Sequence, residues 1–321
     1  MIGPIRTLVI SVSILSAVLA GNSPAFARMT ASAPNDHLAD GSDGYTPNER
    51  LEITVESSKV TYIESGTGRP VILLHGNAGG IEDFEYGVME DLAREFRAIA
   101  IDRVGHGNSD RPDNAGSVEY QAEFLHKTLA TLGIEHPILV GHSWGGALAL
   151  AYALKYPHEV SGMVLVAPAA YPDKGANFLL RMAAKVPVVG DIGVLLGQSI
   201  LGRQMLQREV QRAFYPKPVP DSYRKLVMVS WLGRKQLKAY FEDEVDLNDS
   251  LKKMVPQYRG IKIPLAIITG DKDRIVSAKQ NALRLKKTIP RSHLIELKDT
   301  GHEIPQTSPK SIRSALRLIS G

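Results

Sequence analysis

The 321-residue sequence contains no cysteine. That absence removes thiolate nucleophiles, disulfide frameworks, cysteine-ligated zinc and iron–sulfur clusters from the chemistries open to the chain. Aromatic residues are few, at 6%, and no DNA-binding motif accompanies the basic residues, so no nucleic-acid partner is expected. Internal repeats are absent, which excludes solenoids and propellers. A strong charge bias is also missing: 38 Lys/Arg against 34 Asp/Glu leave a net charge of +4. What is there is an ordinary globular balance, 44% hydrophobic and 22% charged, and such a chain is not mainly disordered.

The N-terminus reads as an address. Arg6 supplies a positive start, Leu8–Ala20 is a charge-free apolar stretch, and Ala25-Phe26-Ala27 follows Pro24 as a small-x-small cleavage site. The stretch is shorter than the roughly 20 residues a helix needs to cross a bilayer. Residues 1–27 are therefore expected to be a secretory signal, and the protein periplasmic or secreted. The alternative is an uncleaved N-terminal membrane anchor, against which Gly21, Asn22, Ser23 and Pro24 interrupt the run. Without cysteine there is no lipoprotein anchor. Residues 28–50 lack apolar periodicity and read as a flexible linker.

From residue 51 strands and helices alternate. Leu51–Ser57 and Lys59–Ser65 read as an antiparallel edge pair. Val71–Leu74, Ala98–Ile101, Ile138–Val140, Met163–Val166, Leu265–Ile268 and Leu294–Leu297 are short apolar runs of the kind found in doubly covered strands. Between them Asp83–Glu95, Ser117–Leu132, Gly146–Tyr156, Ser277–Lys287 and Pro309–Ile319 have helical spacing, with Ser117 as a cap. The alternation predicts an α/β fold with a mostly parallel sheet. Residues 171–259 break the rhythm with helically spaced apolar residues and several prolines, and read as a helical cap inserted after the sixth strand into a core of 51–170 and 260–321. The cap holds 15 Lys/Arg and 9 Asp/Glu, whereas the rest of the chain beyond residue 27 holds 22 and 25. The basic surplus thus belongs to the cap. It reads as a solvated helical face, with an anionic substrate or a membrane surface as minor readings.

The chemistry concentrates at strand ends. Gly141-His142-Ser143-Trp144-Gly145 lies between a strand and a helix, the context that a G-x-S-x-G nucleophile elbow requires. A serine hydroxyl needs a base, and the base an orienting acid. His302, in Gly301-His302-Glu303, and Asp273, in Gly270-Asp271-Lys272-Asp273, follow in the order Ser…Asp…His. Asp271 and, more remotely, Asp173 are rival acids. An oxyanion hole needs two backbone donors: Trp144, directly after the serine, and Asn77, in His75-Gly76-Asn77-Ala78-Gly79-Gly80. His75, His106 and His142 lack metal-type spacing and are expected to hydrogen-bond loops around the site. The turn holding Asp102, Arg103, His106 and Ser109 is expected to be structural. No metal and no cofactor is expected.

The segments HGNAGG, DRVGHGNSDRP, GHSWGG, GDKDRIV and GHEIP, in this order, resemble the α/β-hydrolase fold family over essentially 51–321, although the cap matches only in position and helical character. The resemblance implies an eight-stranded sheet, a cap after the sixth strand and hydrolysis through a covalent intermediate, with Ser143 as nucleophile, His302 as base and Asp273 as acid. Asn77 and Trp144 sit where haloalkane dehalogenases carry their halide-binding pair, but the nucleophile there is aspartate. A serine implies an acyl-enzyme. The expected function is therefore a carboxylesterase of small or medium acyl esters. Perhydrolase, C–C bond hydrolase, lactonase or amidase chemistry on the same triad, and a ligand receptor with little turnover, are the alternatives. The expected partner is a small acyl substrate, in a pocket to which Trp231, Phe214, Phe178 and Met182 are candidate contributors; membrane contact would come only through an uncleaved N-terminus or the basic cap.

Overall fold

A computed structural model describes residues 48–77, 79–85, 87–173 and 198–320. The expected signal, most of the linker, and the cap residues Phe178 and Met182 lie outside these residues. The sheet has eight strands: β1 (Leu51–Val55), β2 (Ser58–Ser65), β3 (Pro70–Leu74), β4 (Arg97–Ile101), β5 (Ile138–His142), β6 (Gly162–Val166), β7 (Leu265–Gly270) and β8 (His293–Leu297). Their order is β1-β2-β4-β3-β5-β6-β7-β8. β1 and β2 form the antiparallel edge, β2 joins β4 antiparallel, and every later pairing is parallel.

Alternation within the strands divides the core in two. Ile72, Leu74, Ile99, Leu139, Leu165 and Ile267 point to one face, and Val71, Leu73, Ala98, Val140, Val164 and Ile268 to the other. The first face is covered by α3 (Val118–Thr131), α4 (Trp144–Lys155) and α8 (Ala282–Thr288), and the second by α2 (Val88–Leu92) and α10 (Lys310–Ser320). β5, β6 and β7 are buried along their whole length, which is why they read as unbroken apolar runs. Ser117 caps α3 as expected, its hydroxyl accepting from the Tyr120 N–H at 3.2 Å.

Two helical expectations are adjusted, and one short helix is added. The stretch expected as one helix over Asp83–Glu95 is two short helices, α1 (Glu82–Glu85) and α2, separated by Gly87 at φ +87°. The helix expected from Ser277 begins at Ala282, because Ser277–Asn281 form turns instead. A short helix, α9 (Ile304–Thr307), carries no periodic signal in its four residues.

Between β6 and β7 the described residues form α5 (Ile200–Phe214), α6 (Asp221–Ser230) and α7 (Arg234–Met254), followed by a 3-10 turn over Val255–Gly260. Val210, Phe214, Val219, Tyr223 and Val227 close a small apolar cluster between α5 and α6, with Trp231 against it. Phe214 is fully buried there, so it serves the cap's own core. Among the described residues no helix is long and apolar enough to cross a membrane.

The chain leaves β3 for β4 on one side, then crosses back to β5 on the other. Such a reversal opens a crevice at the C-terminal ends of the two diverging strands, where parallel sheets hold ligands. The segments after β3 and β5 are His75–Gly80 and Ser143–Gly146.

Candidate active site

The turn after β5 is drawn tight by Ser143, whose backbone lies at φ +53°, ψ −114°. A non-glycine residue in such a region carries strain of order 1–3 kcal/mol, held only where the surroundings over-determine it. Here they do. The Ser143 N–H donates to Val166 O at 2.9 Å, and Ser143 O accepts from the N–H groups of Gly146 and Ala169, both at 3.0 Å. Gly145 must be glycine, since a Cβ there would stand 2.1 Å from the carbonyl oxygen of Leu74. The start of α4 is thus pressed onto the end of β3. A Cβ on Gly76 would lie 3.3 Å from Ser143 Cβ, which puts the segment after β3 directly against the serine. Trp144 is the first residue of α4, and N–H groups of a first helical turn have no acceptor within the helix.

His302 follows β8 and is 4% exposed. Its Nδ1–H donates to Asp273 Oδ2 at 2.8 Å. Asp273 Oδ1 in turn accepts from the N–H groups of Ile275 and Val276, both at 2.8 Å. Burial pushes the Asp273 carboxyl up, but the His302 charge, its hydrogen bond and the two backbone donors outweigh this and hold it below the ordinary value. Burial pushes His302 down, and the charge and hydrogen bond of Asp273 more than reverse this, so the imidazole ends above its ordinary value. The His302 ring packs 4.8 Å from that of His142, the neighbour of Ser143, and His142 Nε2 lies 3.1 Å from His302 O. The cap joins in: the His302 N–H donates to Ala213 O, at the end of α5, at 2.7 Å.

Serine, histidine and aspartate therefore converge on one sheet edge. The rivals do not. Asp271 is exposed and faces Lys272 and the Thr300 N–H. Asp173 is exposed and exchanges backbone hydrogen bonds with the Asn248 side chain. The other histidines hold loops. His75 Nε2 accepts from the Arg103 N–H at 2.9 Å, and His106 bridges Asp243 at 2.9 Å and Gln236 at 3.1 Å. Burial is the main force keeping all three uncharged: it drives His75 well below its ordinary value, His106 to about 4 and His142 to about 3. The turn after β4 is tied by Ser109 Oγ to Asp102 O at 2.8 Å and by the Asn108 N–H to Asp102 Oδ2 at 2.9 Å. Among the described residues no group of three or more His, Asp or Glu is arranged to hold a metal ion.

Residues that sequence reasoning passed over also reach the site. The Asn77 side-chain amide donates to Glu244 Oε1 at 2.9 Å and to Tyr240 O at 3.1 Å, both on α7. Glu303, beside His302, is buried, and its Oε2 has no hydrogen-bond partner among the described residues. Its position after the histidine was visible in the sequence; its burial was not.

Residues 69–309 match the alpha/beta hydrolase fold family. The chain belongs to that family. Lipase 1 of Psychrobacter immobilis is 30% identical over 254 residues, covering 76% of this chain and 75% of the lipase. The 2-hydroxy-6-oxo-2,4-heptadienoate hydrolase of Pseudomonas putida is 27% identical over 260 residues, covering 79% of this chain and 89% of that enzyme. Among solved structures, an alpha/beta hydrolase fold protein from Burkholderia ambifaria superposes with a TM-score of 0.73 at 22% identity, covering 84% of this chain and 98% of the other. Fold and relatives together support a hydrolase, and the named relatives already differ from one another in substrate.

Proposed function

We propose that this hydrolase is a serine carboxylesterase working through an acyl-enzyme on small or medium acyl esters. The observation that carries the reading is the buried Asp273–His302 hydrogen bond of 2.8 Å beside the strained Ser143 turn. With Nδ1–H committed to Asp273, the neutral imidazole carries its lone pair on Nε2. That nitrogen takes the Ser143 proton as the hydroxyl oxygen attacks the ester carbonyl, and the C=O π electrons move onto the oxygen. The N–H groups of Trp144 and Asn77 receive this oxyanion. Its collapse expels the alcohol, protonated by His302, and leaves Ser143 acylated. Water, deprotonated by His302, then releases the acid and restores the serine. Asp273 stays ionised throughout and stabilises the imidazolium. The similarity to a lipase supports ester chemistry. The similarity to a 2-hydroxy-6-oxo-2,4-heptadienoate hydrolase supports a second reading, C–C bond hydrolysis on the same triad.

The test is turnover of p-nitrophenyl acetate and butyrate by the parent, Ser143→Ala and His302→Ala, beside a panel with longer esters, a lactone and an amide. Each substitution is expected to lower kcat by about 10⁴-fold or more. Residual activity within tenfold of the parent rules out the assignment. A parent that a fluorophosphonate labels at Ser143 but that turns over nothing in the panel is a receptor instead.

A further inference from the structure

The two proposed oxyanion donors sit on different segments, Asn77 after β3 and Trp144 at the start of α4. Close packing of Gly145 on Leu74 and of Gly76 on Ser143 brings the two segments together, but the hole asks for more than proximity, since it works only with both N–H groups aimed at one oxygen. Both segments are tied to the same cap helix. Asn77 Nδ2 donates to Glu244 Oε1 at 2.9 Å and to Tyr240 O at 3.1 Å. One residue earlier on α7, the fully buried Asp243 accepts from Arg103 Nη1 at 2.7 Å. The remaining Arg103 donors reach His75 O at 3.2 Å and Gly76 O at 3.1 Å, the two carbonyls just before Asn77. The guanidinium carbon lies 4.0 Å from the centre of the Trp144 ring, close enough for a cation–π contact. The Trp144 indole N–H points back to Asp243 O at 3.4 Å.

We propose that α7 positions the oxyanion hole, with Glu244 and Asp243 as positioning residues for Asn77 and Trp144. Neighbouring residues on a helix diverge by about 100°, so one rod can hold two segments at once: Glu244 takes the Asn77 amide while Asp243 takes the Arg103 clamp. The cap thereby contributes to the stabilisation of the transition state as well as to the covering of the site. The inference rests on the esterase reading for the identity of the oxyanion donors.

The experiment uses Glu244→Ala, Asn77→Ala, their double variant and Glu244→Gln, with p-nitrophenyl butyrate as substrate and a trifluoromethyl ketone as the probe. The ketone's adduct with Ser143 carries an oxyanion, so its affinity reports the hole directly. Displacing a donor without removing it is expected to lower kcat about tenfold to hundredfold, with KM within threefold. Ketone affinity should fall by the same factor as kcat/KM. Asn77→Ala also loses the bond to Tyr240 O, so it should lose at least as much as Glu244→Ala, and the double variant should lose no more than Asn77→Ala alone, since the Glu244 contact is already gone there. Glu244→Gln keeps an acceptor for the amide and should stay within threefold of the parent. The proposal is overturned if Glu244→Ala leaves kcat and ketone affinity within threefold, if kcat falls while ketone affinity holds, or if the two losses multiply in the double variant. Should Glu244→Ala melt before the assay temperature, Asn77→Ala and Glu244→Gln carry the same comparison. Full activity in Ser143→Ala sinks the esterase reading separately, before any question about α7 arises.

Discussion

Two buried clusters of charge flank the His75–Gly80 segment, and they are built on opposite principles. On one side Asp243 collects four donors: Arg103 at 2.7 Å, His106 at 2.9 Å, Arg111 at 2.9 Å and Gln121 at 3.0 Å. Burial alone would push this carboxyl up, but Arg103, His106 and Arg111 hold it well below the ordinary carboxylate range. On the other side lie four acids, Glu82, Asp83, Asp102 and Glu303; Arg50 pairs with Glu82 at 3.1 Å and lowers Asp102, and His302 lowers Glu303. Burial, then the neighbouring charges of Glu303 and Glu82, drive Asp83 well above its ordinary value. Burial carries Asp102 and Glu303 to about 7. The first cluster keeps its charges at any ordinary pH. The second holds carboxyls whose protonation changes near neutral pH. One therefore acts as a fixed clamp and the other is exposed to pH, though both touch the same segment after β3.

The largest effect is expected on the clamp. Asp243→Leu removes the counter-ion of Arg103, which is 3% exposed. Breaking a buried pair in this way costs about 3–5 kcal/mol. Urea unfolding of the variant at pH 7 checks it, and a loss under 1 kcal/mol breaks the picture of a clamp. On the acidic side the sign reverses. The folded state raises Glu303 from the usual 4.5 to about 7, so between these values it holds a proton that the unfolded chain has released. Stability must then fall as pH rises through that window, and the deficit is complete above pH 7. Glu303→Gln, which mimics the protonated form, is expected to be stabilising at pH 8 by on the order of 1–3 kcal/mol, with almost no effect at pH 4.5. Equal effects at both pH values would show that the carboxyl is not titrating there.

The contrast also marks what the sequence could convey. The core was legible because each of its signals is local: apolar runs of three or four residues, a Ser117 cap, a G-x-S-x-G turn between strand and helix. The chain order of Ser143, Asp273 and His302 was equally readable, and Asp273, which the family resemblance favoured over Asp271, is the carboxylate bonded to His302. The two clusters were not legible, because their members are joined by the fold alone. Arg103 and Asp243 are separated by 140 positions, and Asn77 and Glu244 by 167. Helical spacing marked the cap as helical but gave neither its separate helices nor which residues turn toward the crevice; Asp243 and Glu244 look there like members of an ordinary acidic stretch. Glu82 and Asp83 likewise read as the acidic start of a helix, and only burial turns them into proton holders. A break at Gly87 escaped because a single glycine inside helical spacing is weak evidence for two short helices rather than one.

The smallest expected effect separates the clusters most finely, and it is read in activity. As the proposed base His302 must be neutral to take a proton, and burial opposed by the stronger pull of Asp273 leaves it above its ordinary value of 6.5. The acid limb of kcat/KM for p-nitrophenyl butyrate is therefore expected to have its midpoint above 6.5, because the protonated, inactive form persists until the pH passes the raised value. Glu303 also raises His302, as the last and weakest of its partners, and His302 in turn lowers Glu303. Glu303→Gln removes a charge that favours the imidazolium, so the limb should move to lower pH. Asp243 is not among the groups acting on His302, and Asp243→Leu, whatever it does to the plateau, should leave the limb where the parent has it. A limb that shifts with Asp243→Leu and stays put with Glu303→Gln would reverse the assignment of clamp and proton holder. A downward shift in Glu303→Gln alone places the pH sensitivity of the site in the acidic cluster, one residue from the base.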